Sequence, residues 1–336
     1  MGDRQNGTQK GGKTNGRESA PRLSLAGVVR QQTLKSPVQC SGVGLHGGAP
    51  VSMTLLPAPA NHGIVFQRTD VSADASIPAL WHAVVETRHC TVIGNRAGIT
   101  VSTIEHLMAA FAGAGIDNAL VTLDGPEVPI MDGSAAPFMF LIDCAGVVEQ
   151  DAPRRAIKVL KPVMIADGGR ISALSPAANF SISFEIDFDN EAVARQECFF
   201  QIGAGTFKAE ISRARTFGFL DQVDEMRAAG LALGGSLENA VVVAGSRVLN
   251  KDGLRYDNEF VRHKVLDCIG DLYLAGAPLL GHFRGVRSGH RFNHLLLKAL
   301  MSDRQAWSWV DLPVGEPTRR DRGIARSVDP EARSVA

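Results

Sequence analysis

The chain has 336 residues, 45% hydrophobic and 21% charged, with Lys plus Arg equal to Asp plus Glu at 35 each. This is an ordinary globular composition for about two domains, and its neutrality gives no reason to expect nucleic acid or an anionic membrane surface as partner. Five scattered cysteines (Cys40, Cys90, Cys144, Cys198, Cys268) contain no CxxC pair, which argues against a disulfide framework or a cysteine zinc site and for a reducing compartment.

In chain order, residues 1–22 are Gly-rich and polar, lack the apolar core of a secretory signal, and are predicted to be a disordered tail. No apolar run approaches the ~20 residues of a membrane span. Short strands follow: "VSMTLL", "GIVFQR" and "HAVVETRHCTVI", bounded by Pro, Gly or Asn turns. Before them, "GVGLHG" (residues 42–47) matches a dinucleotide fingerprint. That fingerprint needs a helix after its third glycine, whereas Pro50 and strand-like residues come next. A glycine turn between strands is the better reading, and a nucleotide-dependent oxidoreductase is not expected.

"GITVSTIEHLMAAFAGAGIDN" passes from strand to helix. Its plainest reading is a capping box, Ser102 capping and Glu105 bonding back. Ile104, Leu107, Met108 and Phe111 make the apolar face. His106 points the other way, beside Ala109, Ala110 and Gly113, which are small enough to let another element approach closely. "NALVTLDG" is a strand. "DGSAAPFMFLIDCAG" is a helix with Ser134 near its cap. "VVEQDAPRRAI" has the character of a linker and places a boundary near residue 152.

The second part repeats the style, with strands in "ISALS", "FSISFEIDF", "ECFFQI", "NAVVVAG" and "LLGHFRGV" and a short helix in "QVDEMRAAG". A helix in "GHRFNHLLLKALMSDRQAW" is predicted to be capped by Ser288. Each half has a histidine-bearing helix that ends in Ala-Gly before an apolar strand, a hint of duplication. The class is α+β.

"EFVRHKVLDCIGD" (residues 259–271) read as a helix puts Val261, Val265, Cys268, Ile269 and Leu272 on one face and His263, Asp267 and Asp271 on the other. A solvated face explains that column; so does a metal site. A catalytic zinc takes three protein ligands and leaves one position open. His106, His263 and Asp267 would supply them, the last two on neighbouring turns. Glu105 points about 100° away from His106, beside the open position, where a general base belongs. Asp271, one turn beyond Asp267, is placed to orient another histidine. "HRFNH" sets His290 and His294 four apart but lacks the glutamate of HExxH. His46, His62, His82, His89 and His282 have no partner at a telling spacing, so surface or core roles are expected.

"STIEHL", "IMDGSAAPF", "ISRARTFGF", "FVRHKVLDCIGDLYL" and "SGHRFNH" occur in order from about residue 30 to 310. Together they resemble the UDP-3-O-acyl-N-acetylglucosamine deacetylase family, the zinc amidases of lipid A synthesis. The resemblance implies two similar domains, each packing two helices on β-sheet, with the active site between them; the residues themselves put these domains at 23–152 and 153–313, with a loose tail over 314–336. It implies His106, His263 and Asp267 as ligands of Zn2+, with Fe2+ the other ion such a set can hold. Glu105 matches the general base, His290 the acid or cation, Asp271 the carboxylate that holds it, and Thr216 an oxyanion-stabilising hydroxyl. Lys264 and Phe217 match substrate contacts, and His294 matches no functional position. Phe219, Val223, Ala232 and Val242, in the insert of the second domain, would line an acyl-chain passage. The implied protein is a cytoplasmic monomer that removes the N-acetyl group of UDP-3-O-acyl-N-acetylglucosamine, a committed step of lipid A biosynthesis, without inserting in the membrane or binding nucleic acid. The alternatives are a zinc amidase of another N-acetyl sugar and a non-catalytic metal-binding module.

Overall fold

Residues 38–123 build a five-stranded sheet in the spatial order Val38–Val43, Pro50–Pro57, Ala119–Leu123, Ile64–Arg68, Ser76–Pro78. Only the pair joining Ile64–Arg68 to Ala119–Leu123 is parallel. The strands alternate buried and exposed residues, as a sheet with one covered face requires. A computed structural model describes residues 1–2, 27–72 and 74–314. The two expected tails, but for the first two residues and Val314, lie outside that range.

Residues 163–286 repeat the plan. The order is Val163–Asp167, Arg170–Ser175, His282–Val286, Ser181–Asp187, Arg195–Gln201, and again only the last-formed strand pairs in parallel, with the third. Numbered along the chain, both sheets read 1-2-5-3-4. Identical topology, with the fifth strand inserted at the centre, is the duplication hinted at by the two Ala-Gly helix ends.

Among the described residues five α-helices of nine residues or more accompany the sheets: α1 (Glu105–Ala114), α2 (Ala136–Ala145), then, after the short α3 (Ala204–Thr206) and the π-helix Phe207–Ile211, α4 (Leu220–Ala228), α5 (Glu259–Tyr273) and α6 (His290–Ser302). In each half one helix precedes the central strand (α1, α5) and one follows it (α2, α6). Helix α5 packs on strands Ser181–Asp187 and Arg195–Gln201, and α6 on Val163–Asp167 and Arg170–Ser175. One hydrophobic core runs through both halves, from Leu55 and Phe66 to Phe184 and Phe283. The fold is α+β.

Several local expectations change. Residues 82–93 do not form one strand: Val84–Glu86 and Val92–Gly94 pair as a hairpin around residues 87–91, because Thr91 spends its N–H on a side chain and not on a ladder. Residues 147–157 are no linker but two strands, Val147–Pro153 against Arg30–Leu34 and Arg155–Val159 against Trp307–Asp311. The α1 capping box is not made. Thr103 adopts φ 57°, turning Ser102 away to bond Pro126 O, and Ile104 holds the cap position. Gly289, not Ser288, caps α6; the Ser288 hydroxyl bonds Asn293.

Candidate active site

Helices α1 and α5 cross at backbone range. A Cβ on Gly270 would overlap the carbonyl of Glu105, so only glycine permits this approach. The polar column of α5 is therefore buried on both sides: His263, Asp267 and Asp271 are each no more than 3% exposed. The solvated reading of that face fails. His106 from α1 faces it, 3% exposed, with its ring centroid 5.0 Å from that of His263 at 78°.

The Nε2 atoms of His106 and His263 lie 3.5 and 3.3 Å from Asp267 Oδ1. Neither contact has hydrogen-bond geometry, and among the described residues Asp267 Oδ1 is a buried acceptor without a partner. One donor atom from each of the three falls within 4.8 Å of the others. A buried acceptor left unsatisfied costs about 1–3 kcal/mol or more; a shared cation removes that cost. His263 Nδ1 donates to Ala214 O at 3.1 Å, which fixes the tautomer and leaves Nε2 a lone pair for an ion. Burial pushes the His263 imidazole down to about 4, keeping it neutral. Burial would raise Asp267, but His263 and Lys264 outweigh it and hold the carboxyl well below its usual range. A neutral imidazole at His263 and an anionic carboxylate at Asp267 are the protonation states a divalent cation needs.

The flanking groups are proton-handling ones. Glu105 opens α1 and is 3% exposed; burial raises its carboxyl. Its Oε2 accepts the Thr91 N–H at 3.1 Å, and its Oε1 lies 3.8 Å from His290 Nε2. His290 opens α6. Its Nδ1 donates to Asp271 Oδ2 at 2.8 Å. Burial would lower this imidazole, but Asp271, Glu105 and Asp267 raise it to about 9. Lys264 pairs with Asp267 Oδ2 at 2.7 Å, so three buried carboxylates face two cations here.

These groups form the floor of a cavity of ≈ 860 Å3 whose walls come from both halves: Thr87, Arg88 and His89 from the first, Thr216, Phe217 and Phe219 from the second. The model of the family described as UDP-3-O-acyl N-acetylglycosamine deacetylase (LpxC) matches residues 31–302. The chain belongs to this family. Proteins named UDP-3-O-acyl-N-acetylglucosamine deacetylase from Acidithiobacillus ferrooxidans, Shewanella frigidimarina and Vibrio parahaemolyticus are 54%, 49% and 47% identical to it. The alignments cover 84%, 85% and 86% of this chain and 94%, 96% and 96% of theirs. Deacetylases of this family are metalloenzymes, and the triad of His106, His263 and Asp267 is this chain's candidate metal site.

The family motifs acquire physical roles. In "IMDGSAAPF", Gly133 sits at φ 83° where a Cβ would strike Asn239 O, and its carbonyl accepts the Thr216 N–H at 2.8 Å. Asp132 pairs with Arg255 at 2.9 Å. In "ISRARTFGF", Arg215 grips Glu259, the first residue of α5, through Nε and Nη2 at 2.9 and 3.1 Å. That pair, 8% and 0% exposed, ties Thr216 and Phe217 to the helix that carries His263. Phe217 packs edge-on against Phe260, 4.9 Å between centroids.

Of the sequence-predicted site residues, His106, His263, Asp267, Glu105, His290, Lys264, Thr216, Phe217 and Phe219 reach the cavity, and Asp271 lies directly behind His290. Val223, Ala232 and Val242 are half-buried in the segment around α4 but are not on this wall, where α4 presents Gln222 and Met226. His46 and His89, assigned to surface or core, also line the cavity. Their loops carry no periodicity that marks them. Residues with no prior assignment are the wall arginines Arg170, Arg287 and Arg291, and behind the wall Thr91 and Asn293, which bond Asp271.

Proposed function

We propose that the chain hydrolyses the acetamide of UDP-3-O-acyl-N-acetylglucosamine, giving acetate and the free amine, the deacetylation named in its relatives and a step of lipid A biosynthesis. The observation that carries the reading is the convergence of His106, His263 and Asp267 on one buried point, with Glu105 and a charged His290 beside it on the floor of a two-walled cavity. His106, His263 and Asp267 would hold a divalent ion, for which we infer zinc from two imidazoles and a carboxylate; bound there, it would lower the pKa of a water towards ~7 and polarise the amide carbonyl.

The protein's own residues do the rest. Glu105 accepts the proton of the attacking water; burial has raised its basicity for that task. Negative charge then grows on the carbonyl oxygen, and the imidazolium of His290, held by Asp271, stabilises it. The Thr216 hydroxyl assists from a backbone pinned by Gly133 O and Val241 N. As the C–N bond breaks, the Glu105–His290 pair returns that proton to the sugar nitrogen; the second proton of the water leaves on the new carboxyl group and passes to solvent as acetate is released. Phe217 and Phe219 give the substrate an apolar wall, and Lys264 keeps Asp267 ionised. The same reading takes the chain as a cytoplasmic monomer whose functional halves meet near residue 152, since each five-stranded sheet is built on one side of that point. No helix among the described residues is long and apolar enough to cross a membrane.

The test is acetate release from the UDP-acyl-sugar, with and without a chelator. Loss on chelation and recovery on adding zinc is the expected result. Release that ignores the chelator refutes the metal, and no release from the acylated substrate refutes the reading.

A further inference from the structure

Glu105 and His290 sit on different helices, and one buried residue between them touches the supports of both. Thr91 is 2% exposed and lies at the end of the loop over residues 87–91. Each of its polar groups is committed to the site. Its N–H donates to Glu105 Oε2 at 3.1 Å. Its carbonyl accepts from Ile104 N, at the start of α1, at 3.4 Å. Its hydroxyl donates to Asp271 Oδ1 at 2.6 Å. The other oxygen, Asp271 Oδ2, already serves His290 Nδ1 at 2.8 Å and Asn293 Nδ2 at 2.9 Å. The carboxylate is therefore fixed at both ends, and Thr91 is the only described residue that holds Oδ1.

We propose that Thr91 is a positioning residue of the deacetylation, its N–H orienting the base and its hydroxyl locking the carboxylate that orients His290. The proposal rests on the functional reading above. Without the hydroxyl, Asp271 Oδ1 is an unsatisfied buried acceptor. The carboxylate is then free to turn about its last torsion, and the Nδ1–H bond that aims His290 loosens. The backbone N–H to Glu105 survives any side-chain change at this position, so the hydroxyl can be tested alone.

Thr91→Val removes the hydroxyl at nearly constant volume. The expected result is kcat lowered about 10–100-fold, the range for losing a partner that orients a catalytic imidazole, with KM within about twofold and metal content unchanged. Thr91→Ser should keep kcat within about threefold of wild type. The Nδ1–H resonance of His290 in proton NMR, read without substrate, should shift or broaden in Thr91→Val and persist in Thr91→Ser. Unchanged kcat in Thr91→Val overturns the proposal, as does a Thr91→Ser loss as large as that of valine. Should the valine variant not fold, serine still decides: kcat below a tenth of wild type overturns the proposal, and near-wild-type kcat with the resonance retained upholds it. A wild-type protein that releases no acetate refutes the deacetylase reading instead, and the resonance then still tests Thr91 by itself.

Discussion

Residues 38–145 and 163–302 build the same sheet, order 1-2-5-3-4, and place the same two helices around its central strand. Each also interrupts the run between its fourth strand and the helix before its central strand with an insert, three short strands over 84–101 in one half and three short strands around α4 over 217–248 in the other. The scaffolds match; the chemistry does not. The first half offers Glu105 and His106 from the opening turn of α1. The second offers His263, Asp267 and Asp271 from the body of α5 and His290 from the start of α6. The counterpart of α6, helix α2, starts with Ala136 and Pro137 and sends nothing into the site. Helix starts explain part of this division. The positive end of a helix favours the anion of Glu105 and disfavours a charged His290 by about 0.3–1 kcal/mol each. His290 therefore needs Asp271 behind it, and Glu105 needs no carboxylate partner. A duplicated frame supplies two walls and a meeting line; function follows from breaking its symmetry on the meeting helices.

The largest expected effect tests whether both halves are needed for one ion. His106→Ala and His263→Ala should each release the metal and lower kcat by about 10³-fold or more, the several kcal/mol that a metal's transition-state stabilisation is worth. Elemental analysis of the purified variants reads this directly, and a full equivalent of tightly held metal in either breaks the shared-site picture. Next comes Glu105→Gln. It preserves the shape and the Thr91 contact, so metal should stay while kcat falls about 10²-fold or more with little change in KM. Undiminished turnover in steady-state assays refutes the base assignment.

The halves were unequally legible in the sequence. Helix α5 announces itself by period and by His263 and Asp267 at i, i+4, and α1 by its apolar stripe with His106 opposed. Small residues beside His106 anticipated a close neighbour, although the decisive glycine, Gly270, lies on the other helix. What could not be read is what long-range pairing decides. Residues 147–157 look like a linker because their partners, Arg30–Leu34 and Trp307–Asp311, lie over a hundred residues away. Residues 82–93 look like a strand because nothing local says that Thr91 will bond Glu105 and Asp271. The α1 capping box failed for the same reason: the Thr103 hydroxyl is bound to Glu127, and the left-handed turn there takes Ser102 out of reach.

Arg215 offers a stability contrast of middle size. Arg215→Met strands Glu259, fully buried at the start of α5, as an uncompensated charge, which costs about 3–5 kcal/mol. At the corresponding start of α1, Glu105 faces the His290 imidazolium at 3.8 Å and, among the described residues, no arginine. The pH dependence has a definite sign. Burial would raise Glu259, but its bonds to Arg215 and Arg255 outweigh that and lower it below its ordinary 4.5. A depressed folded pKa stabilises above the unfolded value, and the contribution is lost as pH falls through the folded one. Thermal melts of wild type and Arg215→Met should thus lie far apart at pH 7 and converge as the pH falls below the ordinary 4.5 and through the lowered folded pKa. A constant gap across that range refutes the assignment.

The smallest effect sharpens the comparison of the two meeting helices. Gly113 lies in the last turn of α1 and Gly270 in the last turn of α5, and alanine at either gains up to about 0.5–1 kcal/mol of helix propensity. The neighbours decide the sign. At Gly113 the new methyl meets the fully buried ring of Phe207, a side chain and not backbone. At Gly270 it meets the Glu105 carbonyl and the Ala109 N, backbone that moves only if α1 moves. Overpacking costs about 1–3 kcal/mol, so both changes should lower the melting temperature, Gly270→Ala more. Gly270→Ala should also weaken metal retention against a chelator, since pushing α1 away separates His106 from His263 and Asp267. Gly113→Ala should not, because Phe207 carries no metal ligand. Equal metal affinity in the two variants would mean that the helix crossing does not set the distance between the ligands.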